Sequence, residues 1–312
     1  MYSFSASAPG KVFLSGEYAI LEGAKSVVFS VDKRIEATTT NLNITQSNLI
    51  VQVKKHAAKY FLKRTGRDAG AIPNIDIESS GFSIKRKKIG IGSSAAVAAA
   101  TAGALFLWFG LSIEECKSEI LKVAMDAHRE YQDGKGSGAD VAASVMGGAI
   151  VFEKGENPCG APDNSLINIF VWTGESASTV SLVEKVKELK SEKQEVYEEI
   201  MTPMIFTANQ LAEAYLERDE NKIVTLTSQY GGYMEALGVA SGISIITEQI
   251  KKVQSIAESC NGAAKPSGAG GGDLAVAIFK NRTDGDSFLD ICRKNSIIVV
   301  DINKEHEGLI RL

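Results

Sequence analysis

Four glycine-punctuated stretches hold most of the side chains in this chain that could do chemistry. They are APGK (residues 8–11), GIGSSA (90–95), GKGSGAD (134–140) and KPSGAGGGD (265–273). Each sets a hydroxyl, an ammonium or a carboxylate beside glycine, which lets the backbone turn sharply and come close to a ligand. GIGSSA opens a long alanine-rich segment with Ser93 and Ser94 at its start. There a helix offers cap hydroxyls, free N–H groups and the positive end of its dipole to an anion. The same hydroxyls could ligate a Mg2+ that bridges phosphate oxygens. Lys85, Arg86, Lys87 and Lys88 stand immediately upstream and would reinforce such a site.

Three readings compete at GIGSSA. It matches the G-x-G-x-x-A variant of the dinucleotide fingerprint, but that fingerprint needs an apolar strand just before it. Four consecutive cations stand there instead. Plain helix capping is the second reading, since Gly-Ser before a helix is common. The third, phosphate binding by another kind of loop, is preferred. The strict phosphate loop G-x-x-x-x-G-K-[ST] is absent from the whole chain. A glycine run such as GAGGG is usually a linker, yet here it lies between regular elements, where close backbone approach is the commoner meaning.

The totals narrow the classes. A net charge of −4 over 312 residues leaves no basic excess to neutralise nucleic acid. Cys116, Cys159, Cys260 and Cys292 form no C-x-x-C pair, which argues for free thiols in a reducing compartment rather than zinc or a disulfide framework. MYSFSASAPGK has no charged and then apolar region of a signal peptide, and residues 95–109 are too short to span a bilayer. A soluble, cytoplasmic protein acting on a small molecule is expected. His56, His128 and His306 form no catalytic or metal-binding pattern, and only His128 falls near the glycine loops.

The elements that must position these loops follow from periodicity. Residues 2–60 read mainly as paired strands, followed by a weak helix over 51–66 and a half-buried strand over 74–84. Helices are predicted after Ser93 and over 113–132, and 133–140 is a loop. GENPCGAPDNS (155–165) is the best boundary, dividing the chain into 1–165 and 166–312. Beyond it come a strand at 168–174, a charged helical stretch over 181–218 broken at Pro203, a helix over 243–260, and strands at 273–280 and 296–303. Strands and helices without regular alternation make an α+β chain in two halves.

APGK, G-x-G-S-S-A and K-x-S-G-A-G-G-G, in that order, resemble the three motifs of the GHMP kinases, and the likeness runs from residue 7 to about residue 279. Within that superfamily GEYAILEG (16–23), KIGIGSSAAV (88–97), GSGADVAASVMGG (136–148), WTGESAST (172–179) and SGAGGGD (267–273) are similar to segments of the phosphomevalonate kinases. Tyr18 stands where mevalonate kinases usually carry histidine.

The resemblance implies a two-domain fold, ribosomal-protein-S5-like in the first half and ferredoxin-like in the second, with the site between them. It implies phosphoryl transfer from MgATP to the phosphate of 5-phosphomevalonate, by a monomer or homodimer. Gly90, Ile91, Gly92, Ser93, Ser94 and Ala95 would cradle the ATP phosphates beside Lys88. Ser93 or Ser94 would hold Mg2+ together with Glu130, or with Asp133 in its place. Asp140 would sit at the acceptor with Lys11 neutralising the transferring group; Tyr18, Lys88, Lys135, Ser137 and Gly138 would hold the acceptor. Ser267, Gly268, Ala269 and Gly270 would close the cleft. Mevalonate or mevalonate 3-phosphate is the alternative acceptor. A silent binding protein of the same fold is the alternative class, against which both Lys11 and Asp140 speak.

Overall fold

The computed structural model describes residues 3–84, 87–175 and 179–312. Lys85, Arg86 and the Ser176–Ser178 part of WTGESAST lie outside the described residues. The chain starts with a long antiparallel pair, β1 (Ser5–Ser15) and β2 (Ser26–Thr40). Then come α1 (Asn48–Thr65), β3 (Asn74–Glu78) and the two-residue strands β4 (Ser83–Ile84) and β5 (Lys87–Lys88). Helices α2 (Ser93–Trp108), α3 (Lys117–Tyr131) and α4 (Ala139–Met146) lead to β6 (Ala149–Phe152) and β7 (Cys159–Ala161). The second half holds β8 (Ile167–Trp172), α5 (Thr179–Glu192), α6 (Gln194–Glu217), α7 (Glu220–Ala240) and α8 (Glu248–Ser259). It continues through β9 (Ala263–Pro266), β10 (Leu274–Phe279), α9 (Arg282–Lys294) and β11 (Ile298–Val300) to β12 (Ile310–Arg311).

Two large sheets run β12-β1-β2-β6-β7, with β3 also on β2, and β11-β8-β10-β9, beside the small β4-β5 pair. Both are antiparallel throughout. Nearly every residue of β1 is buried, the polar Ser7, Lys11 and Ser15 included, so the strand does not alternate between core and solvent. The alanines of α2 are small for the same reason: the helix is packed against β1, β2, α1 and α3 at once. Phe170 and Trp172 of β8 and Leu274 and Val276 of β10 share one apolar core with β1 and β2. Residues on either side of the expected boundary at 165 therefore pack together, and the tail crosses back to β1.

Several elements differ from expectation. The long charged stretch breaks at Lys193, and Pro203 lies inside α6. The proline deprives Glu199 of its helical partner, but that residue is exposed and water can serve its carbonyl. The helix expected over 51–66 is α1, which starts three residues earlier, at Asn48, capped by the Ser47 hydroxyl accepting from the Ile50 N–H, and closes on Gly66 as its C-cap. Lys87 and Lys88 pair as a short strand with Ser83 and Ile84. Helices α4, α7 and α9 were not expected from the pattern. Among the described residues no helix is long and apolar enough to cross a membrane.

The tail is held by specific contacts. Arg34 donates to Ser7 and to the Glu307 and Gly308 carbonyls, and Leu309 packs against Gly103 of α2. A Cβ at Gly308 would overlap the Val145 carbonyl and the backbone at Gly147. Gly308→Ala should therefore cost about 1–3 kcal/mol, the usual price of overpacking against atoms that cannot yield. Urea denaturation checks this; an unchanged midpoint would mean the tail is not tightly seated.

Candidate active site

Lys11 organises the site. β1 shifts register at Pro9/Gly10, and the Lys11 N–H donates to the Ile91 carbonyl at 2.9 Å, which fastens the strand to GIGSSA. Its side chain then runs along Gly92, where a Cβ would lie 2.6 Å from Lys11 Cε. Gly92 also has φ +77°, so glycine is required there on two counts. Lys11 is only 7% exposed. Burial pulls its pKa below the ordinary lysine value, while Asp140, Glu17 and Asp273 oppose the fall.

Each carboxylate comes from a different element. Asp140 is the second residue of α4, and its Oδ1 accepts from the Val141 N–H at 2.9 Å. Asp273 ends the glycine run and lies against Gly90, where a Cβ would meet Asp273 Cβ at 2.6 Å. Glu17 sits in the turn after β1 and joins Lys265 of β9 in a buried ion pair, Nζ to Oε1 2.5 Å. Lys265 also donates to the Pro266 carbonyl, and the Gly268 N–H reaches Glu17 Oε1 at 3.3 Å. The next residue, Tyr18, adopts φ 61° and donates its hydroxyl to the Ala269 carbonyl at 2.6 Å. Burial drives that phenol's pKa well above its usual value. Turn 16–18 thus ties the first sheet to the glycine loop of the second.

These groups surround a cavity of about 610 Å³. Of the expected residues, Lys11, Tyr18, Lys88, Gly90, Ile91, Gly92, Ser93, Ser94, Lys135, Ser137, Asp140, Gly268 and Ala269 line it. At the start of α2 the Ala96 N–H bonds back to Gly92, and the preceding N–H groups have no partner within the helix. Lys135 is anchored to Glu184 of α5 at 2.6 Å, which holds its pKa above the usual lysine value.

Other expected residues stand elsewhere. Glu130 is turned away from the cavity, its carboxylate bonded to Lys55 at 2.7 Å and His56 at 2.9 Å, which holds its pKa down. Asp133 is exposed and does not line the cavity either. The Ala95 side chain is buried in the core, and Gly138 caps α4 against Met125. The Ser267 hydroxyl accepts from the Phe13 N–H at 2.9 Å, and Gly270 packs on Ile245, so both are structural parts of the loop. Glu17, Asp273, Phe13, Phe82 and Gln132 line the cavity without having been singled out. Only Glu17 and Asp273 had a signal in sequence, each adjoining a glycine motif.

The family model for the GHMP kinases N terminal domain matches residues 48–148, and that for GHMP kinases C terminal matches residues 227–297. The chain belongs to the GHMP kinases. Among relatives, the phosphomevalonate kinase of Streptomyces sp. (strain CL190) is 25% identical, over 89% of this chain and 90% of that one. The mevalonate kinase of Pyrococcus abyssi (strain GE5 / Orsay) is 28% identical, over 88% of each. A structure of Streptococcus pneumoniae phosphomevalonate kinase in complex with phosphomevalonate and AMPPNP superposes with TM-score 0.82 at 19% identity, over 97% of this chain and 100% of that one. The architecture is accordingly the two-domain GHMP kinase fold. The matched GHMP segments contain the GIGSSA loop, Asp140 and the glycine run, whereas Lys11, Glu17 and Tyr18 lie before them.

Removing one partner of a buried ion pair leaves the other charge uncompensated. Lys265→Ala should lower stability by about 3–5 kcal/mol, and Glu17→Gln combined with Lys265→Met should recover much of it. Chemical denaturation of the two variants beside wild type measures this. A single mutant within 1 kcal/mol of wild type, on the order of a surface substitution, would show that the pair does not hold the lobes together.

Proposed function

We propose that this GHMP kinase transfers the γ-phosphoryl group of ATP to the phosphate of (R)-5-phosphomevalonate, giving the diphosphate and ADP in the mevalonate route to isoprenoids. The observation that carries the acceptor is the charge of the cavity. Lys11, Lys87, Lys88 and Lys135 line it, against Glu17, Asp140 and Asp273; with Glu17 paired to Lys265 and Lys135 to Glu184, three lysines face two carboxylates. A pocket that takes the triphosphate and a second phosphate together needs that cationic surplus. Mevalonate is the second reading, favoured by relatives named mevalonate kinase at similar identity.

In this reading Gly90 to Ser94 and the N–H groups opening α2 hold the ATP phosphates. Lys11 neutralises charge on the transferring group, and such chemistry is mostly positioning and electrostatics. The acceptor phosphate is largely ionised at neutral pH, its second pKa being about 6, so Asp140 orients rather than deprotonates. Tyr18, Lys88, Lys135 and Ser137 hold the acceptor. Residues 1–165 form the nucleotide side, and 166–312 the closing side.

The donors facing the cavity fit Mg2+, though not through the expected Glu130. Ser94 and Asp140 offer hard oxygens, and Mg2+ needs only one or two from the protein beside phosphate and water. When bound, the ion neutralises charge on the ATP phosphates.

A coupled assay across mevalonate, mevalonate 3-phosphate and mevalonate 5-phosphate tests the acceptor, with ADP release as readout. Lys88→Ala should raise the KM for phosphomevalonate roughly ten- to a hundredfold, the loss of one charge-assisted hydrogen bond, and move the ATP KM much less. Mevalonate as the better substrate, or an unmoved acceptor KM, would overturn the assignment. Asp140→Asn should depress kcat far more than the nucleotide KM. An unchanged kcat at saturation would return Asp140 to the role of a helix-start residue.

A further inference from the structure

His128 lies between two groups of the machinery. It is 1% exposed, its Nε2 is 3.0 Å from Ser94 Oγ, and its Nδ1 is 4.0 Å from Asp140 Oδ2. Ser94 belongs to the first turn of α2 and Asp140 to the first turn of α4, so one imidazole on α3 lies within 4.0 Å of a side chain at both helix starts. Resting on the phosphoryl-transfer reading, we propose that His128 is a positioning residue that sets the Ser94 hydroxyl and the Asp140 carboxylate relative to one another.

The chemistry of the three groups fixes their order. A neutral imidazole has one N–H and one acceptor nitrogen, and an ionised carboxylate can only accept. The N–H is best placed at Nδ1, toward Asp140, where the 4.0 Å separation is electrostatic reach rather than a hydrogen bond. Nε2 is then the acceptor, and the Ser94 hydroxyl donates to it. With its proton turned to the ring, Ser94 keeps its lone pairs free for a cation. A carboxylate in the place of His128 would also accept from Ser94, but would repel Asp140. The helix presents the ring rather than Glu130 because residues two apart on an α-helix point about 200° away from each other.

The test compares His128→Leu, which keeps bulk and loses both contacts, with His128→Gln, whose amide can reach Ser94. Two readouts are used: kcat with the best wild-type acceptor, and ADP affinity by calorimetry with and without Mg2+. His128→Leu should lose about ten- to a hundredfold in kcat, the usual cost of removing a supporting partner. Its metal-free ADP affinity should be unchanged, while the gain in affinity on adding Mg2+ shrinks. His128→Gln should regain part of both. The ADP measurement needs no acceptor, so an error in the acceptor's identity leaves it standing, and absence of any ADP binding by wild type would overturn the kinase reading instead. Wild-type kcat and an undiminished Mg2+ effect in His128→Leu would overturn the proposal. If His128→Leu does not fold, a cycle of His128→Gln with Ser94→Ala decides. Non-additive losses support coupling, and additive losses overturn it.

Discussion

A lysine ammonium held almost out of water is the constraint from which the site follows. Burying an isolated charge is prohibitive, so opposite charges must be brought to it from whatever elements can reach. The charge of Lys11 is opposed by those of Asp140, Glu17 and Asp273, which come from α4, the turn after β1 and the end of the glycine run. That requirement explains why loops from both sheets converge on one strand. It also explains why Gly90 and Gly92 have no side chains, since Asp273 and Lys11 occupy the space. Electrostatic demand and steric supply meet at the same few residues.

The clasp between sheets has the same logic one layer further in. Lys265 is wholly buried, and Glu17 with the Pro266 carbonyl provides its compensation. Tyr230 of α7 bonds to the backbone carbonyl of Glu17, and Tyr18 to that of Ala269. Gly231 of α7 faces β9 and α8, where a Cβ would lie 2.9 Å from the Gln254 amide nitrogen. The strained backbone of Tyr18 is therefore overdetermined from both sides, as strain at a working site must be.

Much of this was legible in sequence, because glycine beside Lys, Ser or Asp signals a backbone conformation and a ligand chemistry together. GIGSSA, Lys11, Asp140 and the glycine run all arrive at one cavity. Helix phase is legible as well. Ile120, Ala124, Ala127 and His128 follow the i, i+4, i+7, i+8 spacing of a buried stripe, which excludes Glu130 from that face. Helix α7 escaped notice because Gly231 and Gly232 weigh against a helix in propensity, and only tertiary packing overrides them. The ion pair of Glu17 with Lys265 joins residues too far apart in the chain for any local pattern to reveal.

The return of the tail has a consequence for how the molecule is made. Ala6 pairs with Arg311 and Ser7 with Ile310, so β1 leaves the ribosome long before its outer neighbour. Meanwhile the outer edge of β1 at Ala6 and Ser7 stays unpaired, the state most open to pairing with another chain. A nascent chain stalled before residue 309 would already carry the complete GIGSSA loop and glycine run, yet still expose that edge. Protection against joining strands with copies of itself arrives only when residues 309–311 have emerged and docked.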